Sequence, residues 1–226
     1  METFQLKLKT FHSKVIILLE IFKGGTPSLS RQGLASLSTM LLNVAAGAYG
    51  DAAIAGMSIV TRVTFFVFAI IIGIGQGFQP LCGFCYGAKL YKRVREGFYF
   101  CLKTYFVILL PVCILTFVFA DNLIDILRHD PQVVAVGAVA LRWQVITFPI
   151  AAFLTASNMM LQTSGRTISA NLLASARNGL YLIPAILILP YFFGLFGVEI
   201  SQAVADLFSF VMAVPIIRYY FKSLEL

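Results

Sequence analysis

Charge is the scarcest property of this sequence: Asp, Glu, Lys and Arg make up only 12% of its residues, about half the share of a soluble domain. Hydrophobic residues supply 59% of the chain, and the mean hydropathy is +0.89. Water cannot solvate such a surface, which favours a lipid bilayer as the natural solvent. The short alternating segments of a β-barrel are also missing, because the apolar runs are long and continuous. The sequence therefore predicts an all-α polytopic membrane protein.

Metal-binding and redox residues are sparse. His12 and His129 are the only histidines, and the cysteines number four. Cys82 and Cys85 form one C-x-x-C, "CGFC", but neither a second C-x-x-C for zinc nor a βαβ context for redox chemistry is present. We interpret this pair as packing near a helix end, and we expect no metal site and no cofactor.

Paired carboxylates inside an apolar run are missing too, so a Mg²⁺-dependent membrane enzyme is disfavoured. Asp121 and Asp125 have the D-x-x-x-D spacing but fall in a predicted outer loop. The net charge of +7 does not indicate a nucleic-acid partner, because the basic residues sit at the ends of apolar runs, as membrane orientation requires. We expect a protein that is not an enzyme and whose partner is the lipid bilayer.

Residues 1–23 differ from the rest of the chain. Apolar residues recur there at steps of three and four, and Lys7, Lys9 and Lys14 flank them. This pattern predicts a basic amphipathic linker helix on the cytoplasmic membrane surface. A signal peptide is the alternative, disfavoured by a short apolar stretch that Glu20 interrupts. The stretch "GGTP" at 24–27 is expected to break the chain, leaving 24–226 as the transmembrane unit.

Six segments of that unit are long enough to cross about 30 Å of hydrocarbon. We place them at 28–48, 53–80, 97–120, 133–161, 167–193 and 198–220. The basic residues of the connections fall on one side, namely Lys89, Lys92, Arg93, Arg95, Arg166, Arg218 and Lys222. The other side carries Asp51, Asp121, Asp125, Asp130 and Glu199, with Arg128 as its one loop base. The asymmetry predicts a plasma-membrane protein with both termini in the cytoplasm.

Several spans carry polar residues on one helical face. In the first and fourth spans these faces include Gln32, Ser36, Asn43, Gln144, Thr147 and Asn158. Lipid cannot hydrogen-bond such groups, so they must face other helices or water. We predict that they line a polar substrate cavity. Helix packing through small and polar residues is the alternative.

Charged residues within spans are rarer and more costly. Arg62, Arg177 and Asp206 are the candidates for buried charges, whereas Arg31 and Arg142 lie near span ends where their long side chains can reach the interface. Asp206 either forms a structural ion pair with an arginine or takes part directly in ion coupling or substrate binding. Both interpretations stay open at this point.

The stretch "GIGQGFQP" at 73–80 places two amides among glycines at the end of the second span. Gln76 and Gln79 share one side of a helix, and the glycines and Pro80 allow a bend or a close approach. We predict that Gln76, Gly77, Gln79 and Pro80 form an inner gate, with a static helix cap as the alternative.

The longer stretch "GIGQGFQPLCGFCYGAK" resembles the signature of bacterial multidrug and toxic compound extrusion (MATE) transporters. Gln76, Gly77, Gln79, Pro80, Gly83, Tyr86, Gly87, Ala88 and Lys89 match the form Q-G-x-Q-P-x-x-G-x-x-Y-G-A-K. The stretches at 24–43, 49–63 and 157–166 are similar to segments of the same half of these proteins. The resemblance covers most of the chain and implies the second six-helix lobe of such a transporter.

The resemblance implies twelve helices in two lobes that rock around a central cavity and exchange organic cations for inward Na⁺ or H⁺. A chain with one lobe then needs a first lobe, in the same or another chain, or a second copy of itself. The acidic coupling site that many members carry in the first lobe is missing here, and the first and fourth spans contain no Asp or Glu. A lipid-linked sugar flippase half and a non-transporting gene fragment are the alternatives.

Overall fold

The computed structural model describes the backbone of residues 15–224 and the side chains of Leu19, Phe22, Thr26 and residues 28–224. Most of the predicted linker helix at 1–23 lies outside the described residues. The described chain forms long helices joined by short turns: α1 Val15–Gly47, α2 Asp51–Gly87, α3 Tyr91–Val118, α4 Ala120–Leu127, α5 Pro131–Thr163, α6 Thr167–Ser175, a π-helical segment Ala176–Leu180, α7 Leu182–Phe193 and α8 Leu195–Leu224.

The predicted fold class is confirmed, since residues 15–224 contain helices and turns but no strand. Five helical stretches in this range are long and apolar enough to cross a membrane: α2, α3, α5, the stretch from α6 to α7, and α8. The first predicted span lies in α1, whose 33 residues extend about 50 Å. Its composition is more polar than that of the other five, which agrees with the polar face in its sequence.

The expected break at 24–27 is wrong, because α1 runs through this stretch without interruption. Pro27 removes one backbone donor, but membrane helices tolerate proline where side chains satisfy neighbouring carbonyls. The Thr26 hydroxyl donates to the Phe22 carbonyl at 2.7 Å, one residue before the Lys23 carbonyl that loses its helical partner at Pro27. The linker and the transmembrane unit are therefore not separated by a break at this point.

Two predicted loops are shorter than expected. The sequence prediction places residues 82–95 in an inner loop, but α2 continues past Pro80 to Gly87, and only Ala88–Leu90 connect it to α3. The outer segment 121–132 contains the short helix α4. Between α7 and α8 a single residue, Gly194, makes the turn with φ +60°, a conformation that favours glycine.

Helix α5 occupies the centre of the lobe and packs against α2, α3, α4, α6 and α8. Small residues allow the closest approach: a Cβ on Gly56 of α2 would lie 3.2 Å from the Val133 carbonyl oxygen and the Gly137 nitrogen of α5. Backbones at such distances are typical of packing between membrane helices. Large apolar side chains point outward instead, for example Phe106, Val107 and Leu115 of α3. Lipid is the solvent that such a surface requires.

Gly75 and Gly77 of α2 provide a matched test of this packing. A Cβ on Gly75 would overlap the Met159 sulfur and lie 2.9 Å from the Tyr105 hydroxyl oxygen, whereas nothing lies within 4 Å of a Cβ on Gly77. We expect Gly75→Ala to destabilise the lobe by about 1–3 kcal/mol and Gly77→Ala to be neutral or stabilising by up to about 1 kcal/mol. Thermal unfolding of both variants in the same detergent measures the difference. Equal melting temperatures would contradict the close packing of α2, α3 and α5.

Candidate functional site: a polar cavity around a buried ion pair

A cavity of about 250 Å³ lies between α1, α2, α5, the π-helical segment and α8. All five elements contribute polar side chains to its walls, and the apolar side chains come from α1, α2 and Leu182 of α7. The polar and charged residues that line it are Arg31, Gln32, Ser38, Thr39, Thr61, Thr64, Gln144, Arg177, Asn178, Glu199 and Gln202. The cavity is thus the place where polar side chains of separate helices meet.

The cavity lies near the middle of the helices. Gln144 is thirteen residues from the start of α5, a rise of about 20 Å. Gln202 is seven residues from the start of α8, a rise of about 10 Å from the same side. Against a hydrocarbon core of about 30 Å, these depths place the polar groups well inside the membrane.

Asp206 of α8 is completely buried beside this cavity. Its Oδ1 accepts hydrogen bonds from Arg177 Nε at 2.7 Å and from Gln202 Nε2 at 3.2 Å. Its Oδ2 faces Arg177 Nη2 at 3.3 Å and the Thr147 hydroxyl at 3.2 Å. Both carboxylate oxygens therefore have partners, and the two-point contact with the guanidinium is the strong form of an Arg–carboxylate pair.

Arg177 is held from two further directions. Its guanidinium carbon lies 4.3 Å from the centre of the Phe68 ring of α2, within the range of a cation–π interaction. It belongs to the π-helical segment, closed by a hydrogen bond from Tyr181 N to the Ala176 carbonyl at 3.0 Å. In the same segment the Asn178 carbonyl accepts a hydrogen bond from the Ser38 hydroxyl of α1. Single π turns within helices are frequent at functional sites.

Arg31 and Glu199 supply two further charges to the cavity wall. The sequence prediction places Glu199 in an outer loop, but it lies in the second turn of α8 and is only 8% exposed. This prediction is wrong because α8 begins at Leu195, directly after the Gly194 turn. Among the side chains that the structure describes, neither Arg31 nor Glu199 makes an ion pair or a side-chain hydrogen bond.

The cavity opens between α1 and α2. Four of its lining residues are exposed on the surface of the lobe, namely Gln32 and Thr39 of α1 and Thr61 and Phe65 of α2. The mouth is therefore on the same face as the exposed polar side of α1. Arg177 of the buried ion pair lines the same cavity but is only partly exposed.

Five of the six predicted cavity residues fall into three groups. Gln32 and Gln144 line the cavity, and the Gln144 Oε1 accepts a hydrogen bond from Thr64 at 3.1 Å. Thr147 is buried and contacts Asp206 without lining the cavity. Ser36 and Asn43 lie on α1 outside the lining.

For Asn158 the cavity prediction is wrong. It is buried, and its Nδ2 donates to the Ala170 carbonyl of α6 at 2.6 Å. On the same face of α5, Gln162 Nε2 donates to the Ser28 hydroxyl at 3.3 Å. The alternative of helix packing describes this end of the α5 polar face, because α6 and α1 cover it.

Among the predicted buried charges, Arg177 and Asp206 form the pair described above. This is the arrangement expected if Asp206 forms a structural ion pair with an arginine. Arg62 is not buried: it is exposed on α2 and lines no part of the cavity. Spacing along the sequence shows that a charge lies within a span but does not show which way the helix is rotated. Arg142, expected near a span end, pairs with Asp121 of α4.

The predicted inner-gate residues do not sit at a helix end, because α2 continues to Gly87. Gln76, Gly77 and Pro80 are exposed, and Gln79 is half-buried. The cysteines of the C-x-x-C are buried free thiols in the last turns of α2. The gating role of this segment stays a prediction.

The lining residues that the sequence prediction does not place on a cavity face include Arg31, Ser38, Thr61, Thr64 and Glu199. A signal existed for Thr61 and Thr64, which lie three apart in an otherwise apolar run of α2 and so share a helical face. Ser38 had no such signal, because it lies off the polar face of α1 that the spacing defined. No group of three or more His, Cys, Asp or Glu that could hold a metal ion occurs within the described range.

The MatE family model matches residues 27–188. The multidrug export protein MepA of Staphylococcus saprophyticus is 26% identical over 201 residues, which cover 89% of this chain and 44% of that protein. MepA of Staphylococcus aureus is also 26% identical, over 190 residues that cover 84% of this chain and 42% of that protein. The chain thus spans less than half the length of these relatives.

Solved structures show the same fold. The MATE transporter VcmN of Vibrio cholerae in its bent form superposes with a TM-score of 0.85 at 18% identity, covering 96% of this chain and 50% of that one. A MOP superfamily transporter from Pyrococcus furiosus gives a TM-score of 0.88 at 21% identity, with 97% and 50% coverage. The matched length is that of one six-helix half of a MATE transporter. Since the family model covers well over half of the residues, the chain belongs to the MatE family of multidrug and toxic compound extrusion transporters.

Proposed function

We propose that this chain forms the second lobe of a multidrug efflux antiporter and that its polar cavity is one wall of the route taken by the substrate. The expected substrates are small organic cations, exchanged for Na⁺ or H⁺. The observation that carries the proposal is an uncovered polar face at membrane depth, formed by the cavity mouth and Arg62. This face needs a second lobe opposite it.

The position of Arg62 is the clearest part of this argument. It lies eleven residues from the start of α2, a rise of about 16 Å, and its side chain is exposed. An arginine facing lipid at this depth costs at least about 2.5 kcal/mol. In the described part of the chain it has no ion-pair partner. A water-filled cleft or another polar surface is the environment that removes this cost.

The neighbouring polar residues do not all need such cover. The hydroxyls of Ser36, Thr39 and Thr61 donate to the carbonyl four residues earlier in their own helix, at 3.1, 2.9 and 2.9 Å. These groups are satisfied even against lipid. The side-chain amides of Gln32 and Gln76 have no such bond within residues 15–224 and are exposed. The need for a covering surface therefore rests on two amides and Arg62.

Charge at the cavity favours the antiporter over the flippase. The flippase hypothesis relies on Arg62, Arg142 and Arg177 as cavity cations. Arg62 lies outside the cavity, Arg142 pairs with Asp121, and Arg177 is neutralised by Asp206. Inside the cavity Arg31 is the one lining cation without a partner among the described residues, so the cavity lacks the cluster of cations that an anionic lipid-linked sugar requires. Exposed Arg62, beside the mouth, is the residue that keeps the flippase as the alternative.

Efflux of a fluorescent organic cation from cells tests the proposal. We expect cells with this polypeptide alone to accumulate the dye like empty-vector cells, because alternating access requires two lobes that move against each other. Co-expression with a first lobe from a MepA-type relative is expected to restore part of the efflux. The control is the same first lobe without this chain. Robust efflux by this polypeptide alone would contradict the requirement for a first lobe and indicate a homodimeric transporter.

Cysteine labelling tests the proposed orientation. In a background without Cys82, Cys85, Cys101 and Cys113, we expect Arg128→Cys to react with a membrane-impermeant maleimide in intact cells. Lys92→Cys is expected to react only after permeabilisation, because basic connections stay in the cytoplasm. Both positions are exposed, so access to the reagent depends on the side of the membrane alone. Labelling of Lys92→Cys in intact cells would overturn the topology.

A further inference from the structure

A second concave surface lies outside the cavity, where the end of α2 meets the start of α3. It is a groove of about 880 Å³ between the last turns of α2 and the first three turns of α3. A shallower depression of about 390 Å³ follows along α3 towards the membrane interior and shares Tyr99 and Lys103 with the groove. The two join along α3 and form one continuous channel on the exposed surface of the lobe.

The part of this channel nearest the connection between α2 and α3 is strongly basic. Lys92, Arg93, Arg95 and Lys103 line it together with one carboxylate, Glu96, which gives a net charge of +3. Arg95 is held over the rings of Tyr99 and Phe221, at 6.0 and 5.8 Å from their centres. The other three cations are exposed and make no ion pair within the described range.

The charges occupy an unfavourable place in the helix. Lys92, Arg93 and Arg95 fall in the first turns of α3, where the helix dipole disfavours cations, and the first turn contains no acidic residue. Leu90 provides no side-chain cap. An external anion at this position would relieve the repulsion between Lys92 and Arg93, for which the described residues provide no ion-pair partner.

The channel also has apolar walls. Leu81 and Phe84 of α2, level with the basic first turns of α3, and Phe100 of α3 are 51%, 73% and 72% exposed along them. Further along α3, Phe106 and Val107 continue the surface. From Arg93 to Val107 the helix rises about 21 Å, which exceeds the half-thickness of about 15 Å of the hydrocarbon core. The channel therefore offers most of its charge at the start of α3 and an apolar surface that continues past Lys103 to Phe106 and Val107.

We propose that this channel binds one anionic phospholipid. Its phosphate contacts Lys92 and Arg93 at the basic end, and Lys103 extends along the helix to reach the same phosphate from below. One acyl chain lies against Tyr99, Phe106 and Val107. A free phosphate ion would use only the basic end, and an acidic protein segment would leave the apolar surface at membrane depth uncovered. The lipid is the occupant that matches both parts.

A tryptophan reporter tests this proposal. Trp143 is the only tryptophan of the chain, so Phe106→Trp in a Trp143→Phe background places a single fluorophore on the apolar surface. The protein is reconstituted in nanodiscs of phosphatidylcholine with increasing brominated phosphatidylglycerol, and separately with brominated phosphatidylcholine. We expect quenching by the anionic lipid to saturate at an at least fivefold lower lipid fraction, since one basic side chain near an anionic surface contributes about that factor.

Matched charge removal decides whether the basic end is responsible. The triple change Lys92→Gln, Arg93→Gln, Lys103→Gln is expected to make both brominated lipids equivalent. The control Arg218→Gln, Lys222→Gln removes exposed charges from the same side of the membrane outside the channel and is expected to retain the preference. Glycerophosphoglycerol, which has the headgroup without acyl chains, is expected not to reverse the quenching. Equal quenching by both lipids in the parent, equal loss in the control pair, or full reversal by the soluble headgroup would each overturn the proposal.

Discussion

Asp206→Asn is expected to destabilise the lobe by about 3–5 kcal/mol, because it leaves Arg177 as an unpaired buried cation. In the native protein the carboxylate accepts from Arg177 Nε at 2.7 Å, and the pair is almost fully removed from solvent, with side-chain exposures of 14% for Arg177 and 1% for Asp206. The amide of Asn can accept one of these bonds but supplies no compensating charge. We expect low abundance in the membrane and an early thermal transition in detergent.

The exposed pair Arg142–Asp121 is the matched control. Its side chains are 35% and 53% exposed, so Asp121→Asn is expected to cost at most about 1 kcal/mol. The double change Arg177→Met, Asp206→Leu removes both charges and is expected to regain much of the lost stability, as replacement of a buried pair by apolar side chains does elsewhere. Thermal unfolding of the four proteins gives the comparison. If Asp206→Asn unfolds at the same temperature as Asp121→Asn, the pair has no structural role.

Measuring both the abundance and the efflux of the Asp206→Asn variant distinguishes a structural role of Asp206 from a direct role in transport. A variant with normal abundance and lost efflux in the two-lobe assay would assign Asp206 directly to substrate or ion handling. A variant with normal abundance and normal efflux would show that Asp206 has neither a structural role nor a direct role in transport. The network of Thr147 and Gln202 around the carboxylate makes loss of abundance the expected result.

Cysteines at the cavity are expected to react with a charged, water-soluble thiosulfonate at least about tenfold faster than one at Asn158, since the reactive thiolate requires water. Gln32→Cys and Gln144→Cys are the cavity positions, one at the exposed mouth and one deeper in the wall. Asn158 is 5% exposed and bonded to α6. Labelling rates in membranes, in the cysteine-free background, measure the difference.

The same experiment distinguishes a water-filled cavity from packing. If Gln32→Cys reacts and Gln144→Cys does not, water reaches only the mouth, and the buried ion pair is sealed from substrate. If both resist the reagent while Lys92→Cys reacts, the polar faces serve packing alone. Addition of an organic cation is expected to slow labelling at Gln144→Cys in the two-lobe assembly, because the proposed substrate occupies the cavity.

The sequence by itself determined the class of the protein and most of its spans. Apolar runs longer than about 20 residues have few alternatives to membrane helices, and the segment at 73–89 identified the family from residue types at fixed positions. The polar face containing Gln32 was visible because helical spacing brings such residues together on any helix. These properties depend only on neighbours along the chain.

Tertiary structure decided which of the polar residues share a site. Arg177 and Asp206 lie on separate elements and meet only because the π-helical segment packs beside α8, whereas Arg62 is exposed on the lobe surface through the rotation of α2. Asn158 faces α6 instead of the cavity for the same reason, and Glu199 is buried because α8 begins immediately after Gly194. Helix rotation and the position of a turn are set by close packing between distant segments, at contacts such as Gly56 against Val133 and Gly75 against Met159. Local spacing contains no information about these contacts, so the cavity could be predicted as a kind of site but not as a set of residues.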